Sequence, residues 1–137
     1  MQYWLVKSEP SVYSWGQFTE DGGTHWNGVR NHQAAKSLKT MRHGDLAFFY
    51  HSNEGKEIVG IAKISREAYP DPSDAKGVFV MVDLQPLKPL KIPVGLAAIK
   101  DVPSLKDICL IRQPRLSVMP VSEKEWQTIL KMGDTKL

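Results

Sequence analysis

The sequence predicts an α+β fold, a small and partly closed mixed β-barrel of about five or six strands with helices at its periphery. Short apolar runs of strand composition recur along the chain, whereas amphipathic helical periods appear in only about three places. Strands and long helices do not alternate regularly, which argues against a doubly wound parallel sheet. The length of 137 residues suits one domain over residues 1–137, because single domains cluster near this size.

The first third of the chain holds one strand and one clear helix. Tyr3-Trp4-Leu5-Val6 is a short apolar run typical of a buried strand. Ser11 is placed to cap a short helix, and Glu20-Asp21-Gly22-Gly23 predicts the turn after it. A longer helix begins with Asn31 as its cap, since apolar residues follow at helical spacing: Ala34, Ala35, Leu38 and Met41.

The middle of the chain is rich in strand signals. Apolar runs over residues 46–50 and 58–65 predict two strands, and Gly60 in the second indicates a bulge or a close backbone approach. A loop is expected over residues 69–74. Residues 78–84 alternate in character and predict a further strand. The prolines beyond it should divide the chain into edge strands or turns: Pro86, Pro89 and Pro93.

The last third predicts short elements and a terminal helix. Residues 94–108 favour one or two short helical turns, and residues 115–121 resemble a strand. Ser122-Glu123-Lys124-Glu125 is a capping box, which opens a C-terminal helix. One face of that helix carries the apolar residues Trp126, Ile129 and Leu130.

Composition narrows the classes of function. The formal net charge of +3 permits an anionic partner but does not demand one. Cys109 is the single cysteine, so no disulfide forms within the chain and a reducing compartment fits. The longest apolar run is too short to span a bilayer, and the N-terminus lacks the features of a signal peptide. We therefore expect a cytoplasmic protein without a membrane partner.

No pattern in the chain predicts catalysis, a metal site or a bound cofactor. The histidines, His25, His32, His43 and His51, follow no metal-site spacing. Cys109 has apolar neighbours, which raise the pKa of a thiol and disfavour a nucleophile. Phosphate-binding loops and nucleophile-elbow motifs are absent. The chain is therefore expected not to be an enzyme.

Two polar clusters adjoin apolar elements. Lys7-Ser8-Glu9-Pro10 leaves the first strand, and Trp26-Asn27-Gly28-Val29-Arg30-Asn31 enters the longer helix. Strand ends and helix N-termini are where backbone N–H groups and side chains converge on ligands. An indole can stack on a base, serine and asparagine can bond its edge, and Arg30 or Lys7 can meet a phosphate. The alternative, that Trp26 is a core aromatic and Arg30 a surface ion-pair partner, stays open.

The other aromatic residues divide between core and pocket. Tyr50 ends a strand beside polar residues and is either a second pocket wall or a core residue. Trp4 and Trp126 lie in apolar patterns and are predicted to be core residues. The pattern around Trp15 favours neither place.

These motifs resemble the EVE domain family, including the thymocyte nuclear protein group built on this domain. The resemblance follows the chain in order over almost its whole length. It is carried by residues 3–10, 26–31 and 44–52, and by the shorter matches Val59-Gly60-Ile61-Ala62, Glu67-Ala68-Tyr69-Pro70-Asp71-Pro72, Arg115-Leu116-Ser117-Val118 and Pro120-Val121.

The resemblance implies a PUA-like barrel related to YTH and ASCH domains, and recognition of a modified, in particular methylated, base in DNA or RNA. Lys7-Ser8 and Trp26 match, by position and type, a Lys-Ser pair and a tryptophan that help form the aromatic cage of YTH domains. Many family members carry a longer insertion after residues 69–72, and this chain passes quickly to its next strand. The expected base pocket comprises Lys7, Ser8, Trp26, Asn27, Val29, Asn31 and Tyr50, with Arg30 as the phosphate contact.

Two other classes of function remain open. A small nuclease or RNA-processing hydrolase could use His25, His51 or Glu9, although the sequence shows no paired acid and base. A nucleotide- or peptide-binding module could use the same Trp26 site. If the chain binds a modified base, a nuclease or a base-modifying enzyme acting beside it is an expected partner.

Overall fold

The computed structural model describes all residues from Met1 to Leu137. The strands are β1 (Tyr3–Ser8), β2 (Thr24–Trp26), β3 (Leu46–His51), β4 (Glu57–Pro70), β5 (Val80–Gly95) and β6 (Val118–Val121). The helices are α1 (Trp15–Asp21), α2 (His32–Thr40), α3 (Leu96–Lys100), α4 (Cys109–Arg112) and α5 (Glu123–Met132), with a 3₁₀ turn at Pro103–Leu105.

The strands form one mixed sheet in the order β2-β5-β4-β3-β1-β6. β1 runs parallel to β3, and every other neighbouring pair is antiparallel. No pairing joins the two outer strands, β2 and β6, so the barrel is open on that side. The mixed six-stranded sheet with helices around it confirms the predicted α+β class.

The core is one cluster of 32 buried hydrophobic residues. Trp126 of α5 is fully buried and stacks on Tyr3 and Phe48, with ring centroids 4.5 and 3.9 Å away. Trp4 is also buried, and its indole Nε1 donates a hydrogen bond to the Asp45 carboxylate over 3.1 Å. Both tryptophans are therefore core residues, as predicted.

Helix boundaries follow the caps that the sequence supplies. Asn31 caps α2, and the Ser122–Glu125 capping box opens α5, so both of these predictions are confirmed. The cap of α1 is Ser14, not the predicted Ser11. The reason is that residues 10–12 form a turn, which delays the start of the helix.

β5 differs most from the prediction. It continues through Pro86, Pro89 and Pro93, where the sequence predicted separate edge strands or turns. β2 pairs with β5 only over residues 82–84, so the far side of β5 has no strand neighbour beyond that point. A proline nitrogen that faces an open side costs no ladder hydrogen bond. Register shifts on the β4 side, beside Gly60, accommodate the remaining irregularity.

Two further strand boundaries were not predicted. β4 extends to Pro70, so the loop expected over residues 69–74 begins only after that residue. β2 has three residues, too few to show an alternating pattern in the sequence. None of the helices is long and apolar enough to cross a membrane.

Candidate functional site

A cavity of about 540 Å³ lies between the end of β1, the turn before α1, β2 and the β2–α2 connection. Tyr50 does not line it, because this residue is only 3% exposed and belongs to the core. The predicted pocket residues that do line it are Lys7, Ser8, Trp26, Asn27, Val29 and Asn31, together with Arg30, the predicted phosphate contact.

The cavity also has lining residues that the expected base pocket did not include. Most of them lie within the two polar clusters or close to them in sequence. Ser117 is different, because the sheet brings it there: the Lys7 N–H donates to the Ser117 carbonyl over 2.9 Å. The additional lining residues are Glu9, Val12, Tyr13, Thr24, His25, Gly28 and Ser117.

Trp26 contacts the core and the cavity at once. The residue is half-buried, and its ring meets Phe49 edge to face with centroids 5.7 Å apart. Phe49 is fully buried and stacks on Phe18 at 5.2 Å. The indole is therefore anchored on a rigid aromatic base while it lines the cavity, which is the requirement for a stacking surface.

Ser8 and Tyr13 are joined by a hydrogen bond at the cavity. The Ser8 hydroxyl donates to the Tyr13 carbonyl over 2.6 Å. The Tyr13 hydroxyl donates to the Asp21 carboxylate of α1 over 2.8 Å, which fixes the ring. Because its proton is used, Ser8 Oγ is left to accept a hydrogen bond from a ligand. Tyr13 supplies the second aromatic side chain that the sequence had assigned to Tyr50.

The two asparagines of the cavity offer different groups. Asn31 Oδ1 accepts from the Ala34 N–H over 2.9 Å as the cap of α2, so its NH₂ group remains to donate. Asn27 is exposed, and its amide carries both a donor and an acceptor. Together with Ser8, these residues provide the donors and acceptors that the edge of a base requires.

Lys7 lines the cavity, and its ammonium is engaged within the protein. It donates to the Pro114 carbonyl over 2.8 Å and lies 5.8 Å from the ring centroid of Tyr50, which supports it from the core. Burial lowers the pKa of Lys7, and the nearby Cys109 partly opposes this shift. Burial also raises the pKa of the Cys109 thiol, as its apolar neighbours predicted.

Arg30 is engaged within the protein. Its Nη1 donates to the Asp71 carboxylate over 3.2 Å, and its Nη2 donates to the Ser73 hydroxyl over 2.9 Å. The guanidinium carbon lies 5.5 Å from the ring centroid of Phe79. The ion-pair alternative is therefore the arrangement in the structure, although 39% of the Arg30 side chain remains exposed to solvent.

A histidine and a carboxylate are paired at the rim of the cavity. His25 of β2 faces Asp83 of β5, and Nδ1 of the ring lies 2.8 Å from the carboxylate. The Tyr69 hydroxyl lies 2.9 Å from the same nitrogen. The sequence showed no such pair because 58 residues separate His25 from Asp83. No three potential metal ligands gather in the structure.

His51 at the end of β3 anchors the start of α1. Its Nε2 accepts from the Trp15 backbone N–H over 3.0 Å, so this nitrogen must be unprotonated. Burial lowers the pKa of His51, and the charge of Glu57 partly opposes the shift. The folded-state pKa thus lies below the unfolded value of about 6.5. The stability that neutral His51 contributes is present above about pH 6.5 and is lost as the pH falls through the folded pKa.

We therefore expect the free energy of unfolding to decline as the pH falls below about 6.5, and to decline less in His51→Gln. The glutamine oxygen can accept the Trp15 N–H in place of Nε2 but does not titrate. Urea unfolding of both proteins across this range measures the difference. An equal decline in the two proteins would show that His51 makes no contribution.

The open mixed barrel, its peripheral helices and the aromatic cavity beside β1 define a PUA-like α+β domain. The YTH domain of Zygosaccharomyces rouxii MRB1, solved with N6-methyladenosine RNA, shares this fold with a TM-score of 0.62 and 15% identity, over 99% of this chain and 88% of that chain. The chain belongs to the EVE domain family, whose model matches residues 2–132.

Relatives of known structure or sequence match almost the whole chain. Thymocyte nuclear protein 1 of Mus musculus is 36% identical over 98% of this chain and 74% of its own length. The solved structure of Rpa0253 from Rhodopseudomonas palustris is 60% identical, with a TM-score of 0.94 over 98% of this chain and 94% of that chain. Human THYN1, crystallised with 5-methylcytosine-containing DNA, is 31% identical, with a TM-score of 0.87 over 100% of both chains. The resemblance seen in the sequence is confirmed.

Proposed function

We propose that this chain is a non-catalytic, single-domain module that binds nucleic acid by holding one modified base in the cavity beside β1. The observation that carries the proposal is the cavity itself, which unites Lys7 and Ser8 with residues 26–31 around the Trp26 indole. The crystallised chain of human THYN1, which is similar to this chain over its whole extent, was solved with 5-methylcytosine-containing DNA, and this supports the same class of ligand.

The chemistry of the cavity suits a flat heterocycle. Trp26 and Tyr13 supply aromatic surfaces, and stacking on such a surface contributes about 1–3 kcal/mol per base. Ser8 accepts and Asn31 donates, so both kinds of polar group on a base edge find a partner. A base in a duplex must first be flipped, at a cost of a few kcal/mol. We therefore propose that unpaired or mismatched strands bind more tightly than intact duplexes.

Recognition of a methyl group needs more than added contact. Burying one methyl contributes about 0.8 kcal/mol, and a tenfold change in affinity requires about 1.4 kcal/mol. Contact alone thus gives roughly fourfold selectivity. Higher selectivity requires that the unmodified base leave a void or an unpaired polar group in the cavity.

Trp26→Ala is expected to raise the dissociation constant for an oligonucleotide about 10- to 100-fold, since it removes the stacking surface. Fluorescence anisotropy with labelled single strands of DNA and RNA measures this. The strands carry one 5-methylcytosine, one N6-methyladenine or only unmodified bases, and the wild-type preference among them identifies the modification and the sugar.

Tyr50→Phe is the matched control, because it keeps an aromatic ring in the core and leaves the cavity untouched. Its affinity should stay within about twofold of the wild-type value. Equal binding of every strand, unchanged by Trp26→Ala, would refute the base pocket. A thermal midpoint raised by free nucleosides, without oligonucleotide binding, would support a nucleotide-binding module instead.

The paired His25 and Asp83 favour a hydrolase as the second candidate. A carboxylate on Nδ1 orients a histidine, so that its other nitrogen can act as a general base at the rim. Labelled DNA and RNA should be incubated with wild-type protein and His25→Ala, with and without a divalent metal. Cleavage by the wild-type protein that disappears in the variant would support this second function.

We also propose that a nuclease or a base-modifying enzyme acts beside the chain. A module that only binds a base does not alter the nucleic acid chemically, so a second protein is needed to act on the bound strand. Purification of the wild-type protein and of Trp26→Ala from the same cells tests this, because the second protein should accompany both. The cytoplasmic location stays a prediction.

A further inference from the structure

The segment between β2 and α2 forms one wall of the cavity, yet no regular structure holds it. Residues 27–30 take part in none of the backbone–backbone hydrogen bonds outside the helices and strands. Gly28 has a φ of 79°, a left-handed conformation that glycine adopts readily. The shape of this wall must therefore depend on contacts with another part of the chain.

Asp71, which follows β4, supplies those contacts. Its side chain is 0% exposed, and Oδ2 accepts from the Gly28 N–H over 2.8 Å and from Arg30 over 3.2 Å. Oδ1 accepts from the backbone N–H and the hydroxyl of Ser73 over 2.8 and 2.6 Å. One oxygen thus orders the β4–β5 connection, and the other reaches the cavity wall.

These hydrogen-bond donors keep the Asp71 carboxylate ionised although it is buried. Burial alone would raise the pKa of Asp71, but the hydrogen bonds from Ser73, Gly28 and Arg30 together lower it far below its ordinary value. A buried carboxylate is costly unless its oxygens are paired. An amide of the same shape has a single acceptor oxygen, so it cannot serve both the Gly28 and the Ser73 donors.

We propose that Asp71 is a positioning residue of the base site, whose carboxylate sets the conformation of residues 26–31 by binding the Gly28 N–H and Arg30. This inference rests on the proposed function, which assigns those residues to base recognition. Asp74 offers a matched comparison in the same connection, because it makes no hydrogen bond to the cavity wall. It accepts instead from the backbone N–H groups of Lys76, Val78 and Phe79.

The test compares wild-type protein, Asp71→Asn and Asp74→Asn by anisotropy with 5-methylcytosine and cytosine oligonucleotides, and by the backbone amide resonances of each variant. We expect Asp71→Asn to shift the resonances of residues 26–31 and to weaken binding of the methylated strand at least about tenfold. Asp74 acts on Arg30 only through its charge, so Asp74→Asn should shift those resonances less than Asp71→Asn does and leave the affinity within about twofold. A purely structural role for Asp71 would lower the stability of the variant and leave its affinity for the methylated strand within about twofold of the wild-type value.

Unshifted resonances in Asp71→Asn, or equal losses of affinity in the two variants, would overturn the proposal. Should Asp71→Asn not fold, Ser73→Ala removes a donor to Oδ1 while keeping the charge, and the same shifts are expected at smaller amplitude. If the wild-type protein binds neither strand, the proposed function fails. The resonances alone then decide whether Asp71 positions residues 26–31.

Discussion

Replacing Phe49 with alanine is expected to lower the free energy of unfolding by about 3–5 kcal/mol, the range for aromatic-to-alanine changes in a core. The side chain is fully buried, and its removal leaves a cavity that the β3 backbone cannot close. A domain of this size has a total stability of about 5–15 kcal/mol, so the variant should approach the limit of folding. Urea unfolding measures the loss. The aromatic rings that Phe49 contacts are those of Trp15, Phe18, Trp26 and His51.

Phe49→Leu distinguishes the role of Phe49 in core packing from its contact with Trp26 at the cavity. Leucine keeps most of the apolar volume but lacks the ring that Trp26 meets edge to face, a contact worth about 0.5–1.5 kcal/mol. We expect this variant to stay folded and to bind the modified strand less tightly than the wild-type protein. A loss of stability below about 1 kcal/mol in Phe49→Ala would contradict the packing beneath Trp26.

Gly60→Val is expected to lower the free energy of unfolding by about 3 kcal/mol, the upper end of the range for overpacking. A Cβ at Gly60 would lie 2.4 Å from ring atoms of Trp15, whereas carbon atoms in contact are about 3.5–4.0 Å apart. The Trp15 ring cannot move away freely, because it packs against Phe18 and Phe49 at 5.5 and 5.4 Å. Thermal or urea unfolding measures the effect.

A double variant identifies the cause of that loss. Trp15→Leu makes room beside Gly60. The double variant, Gly60→Val and Trp15→Leu together, should therefore lose less free energy of unfolding than the sum of the losses in the two single variants. Simple addition would show that the strain arises elsewhere in β4. Gly60→Ala, which adds only the Cβ, should lose less stability than Gly60→Val but respond to Trp15→Leu in the same direction.

The sequence predicted correctly the starts of α2 and α5, which depend on interactions between residues close together in the chain. The Asn31 cap and the Ser122–Glu125 box act within one helical turn, so the residues themselves reveal them. Gly60 indicated a bulge or a close backbone approach, and the structure has a register shift beside it, whereas its close neighbour is the Trp15 side chain and not a second backbone. β2 and the unbroken β5 depend instead on pairing between distant residues, which no local pattern shows.

The same limit applies to the site. Residues 26–31 were predicted together because they are neighbours in the chain, whereas Asp71 lies 43 residues from Gly28 and was not connected with it. Tyr50 was a candidate for the pocket wall because alternation along a strand shows which residues share a face. It does not show which of the two faces another element covers. Tyr13 was missed because the turn at residues 10–12, just before it, has no periodicity to interpret.

The place of β1 in the sheet has a consequence for synthesis of the protein. β1 is made before the other strands, yet it lies between β3 and β6, so that Tyr3 pairs with both Leu46 and Val121. One edge of β1 therefore stays exposed while the nascent chain grows, until the residues of β6 have also emerged. Ser117, next to β6, joins Lys7 only then. The protein should accordingly acquire its complete cavity late, after the rest of the sheet has assembled.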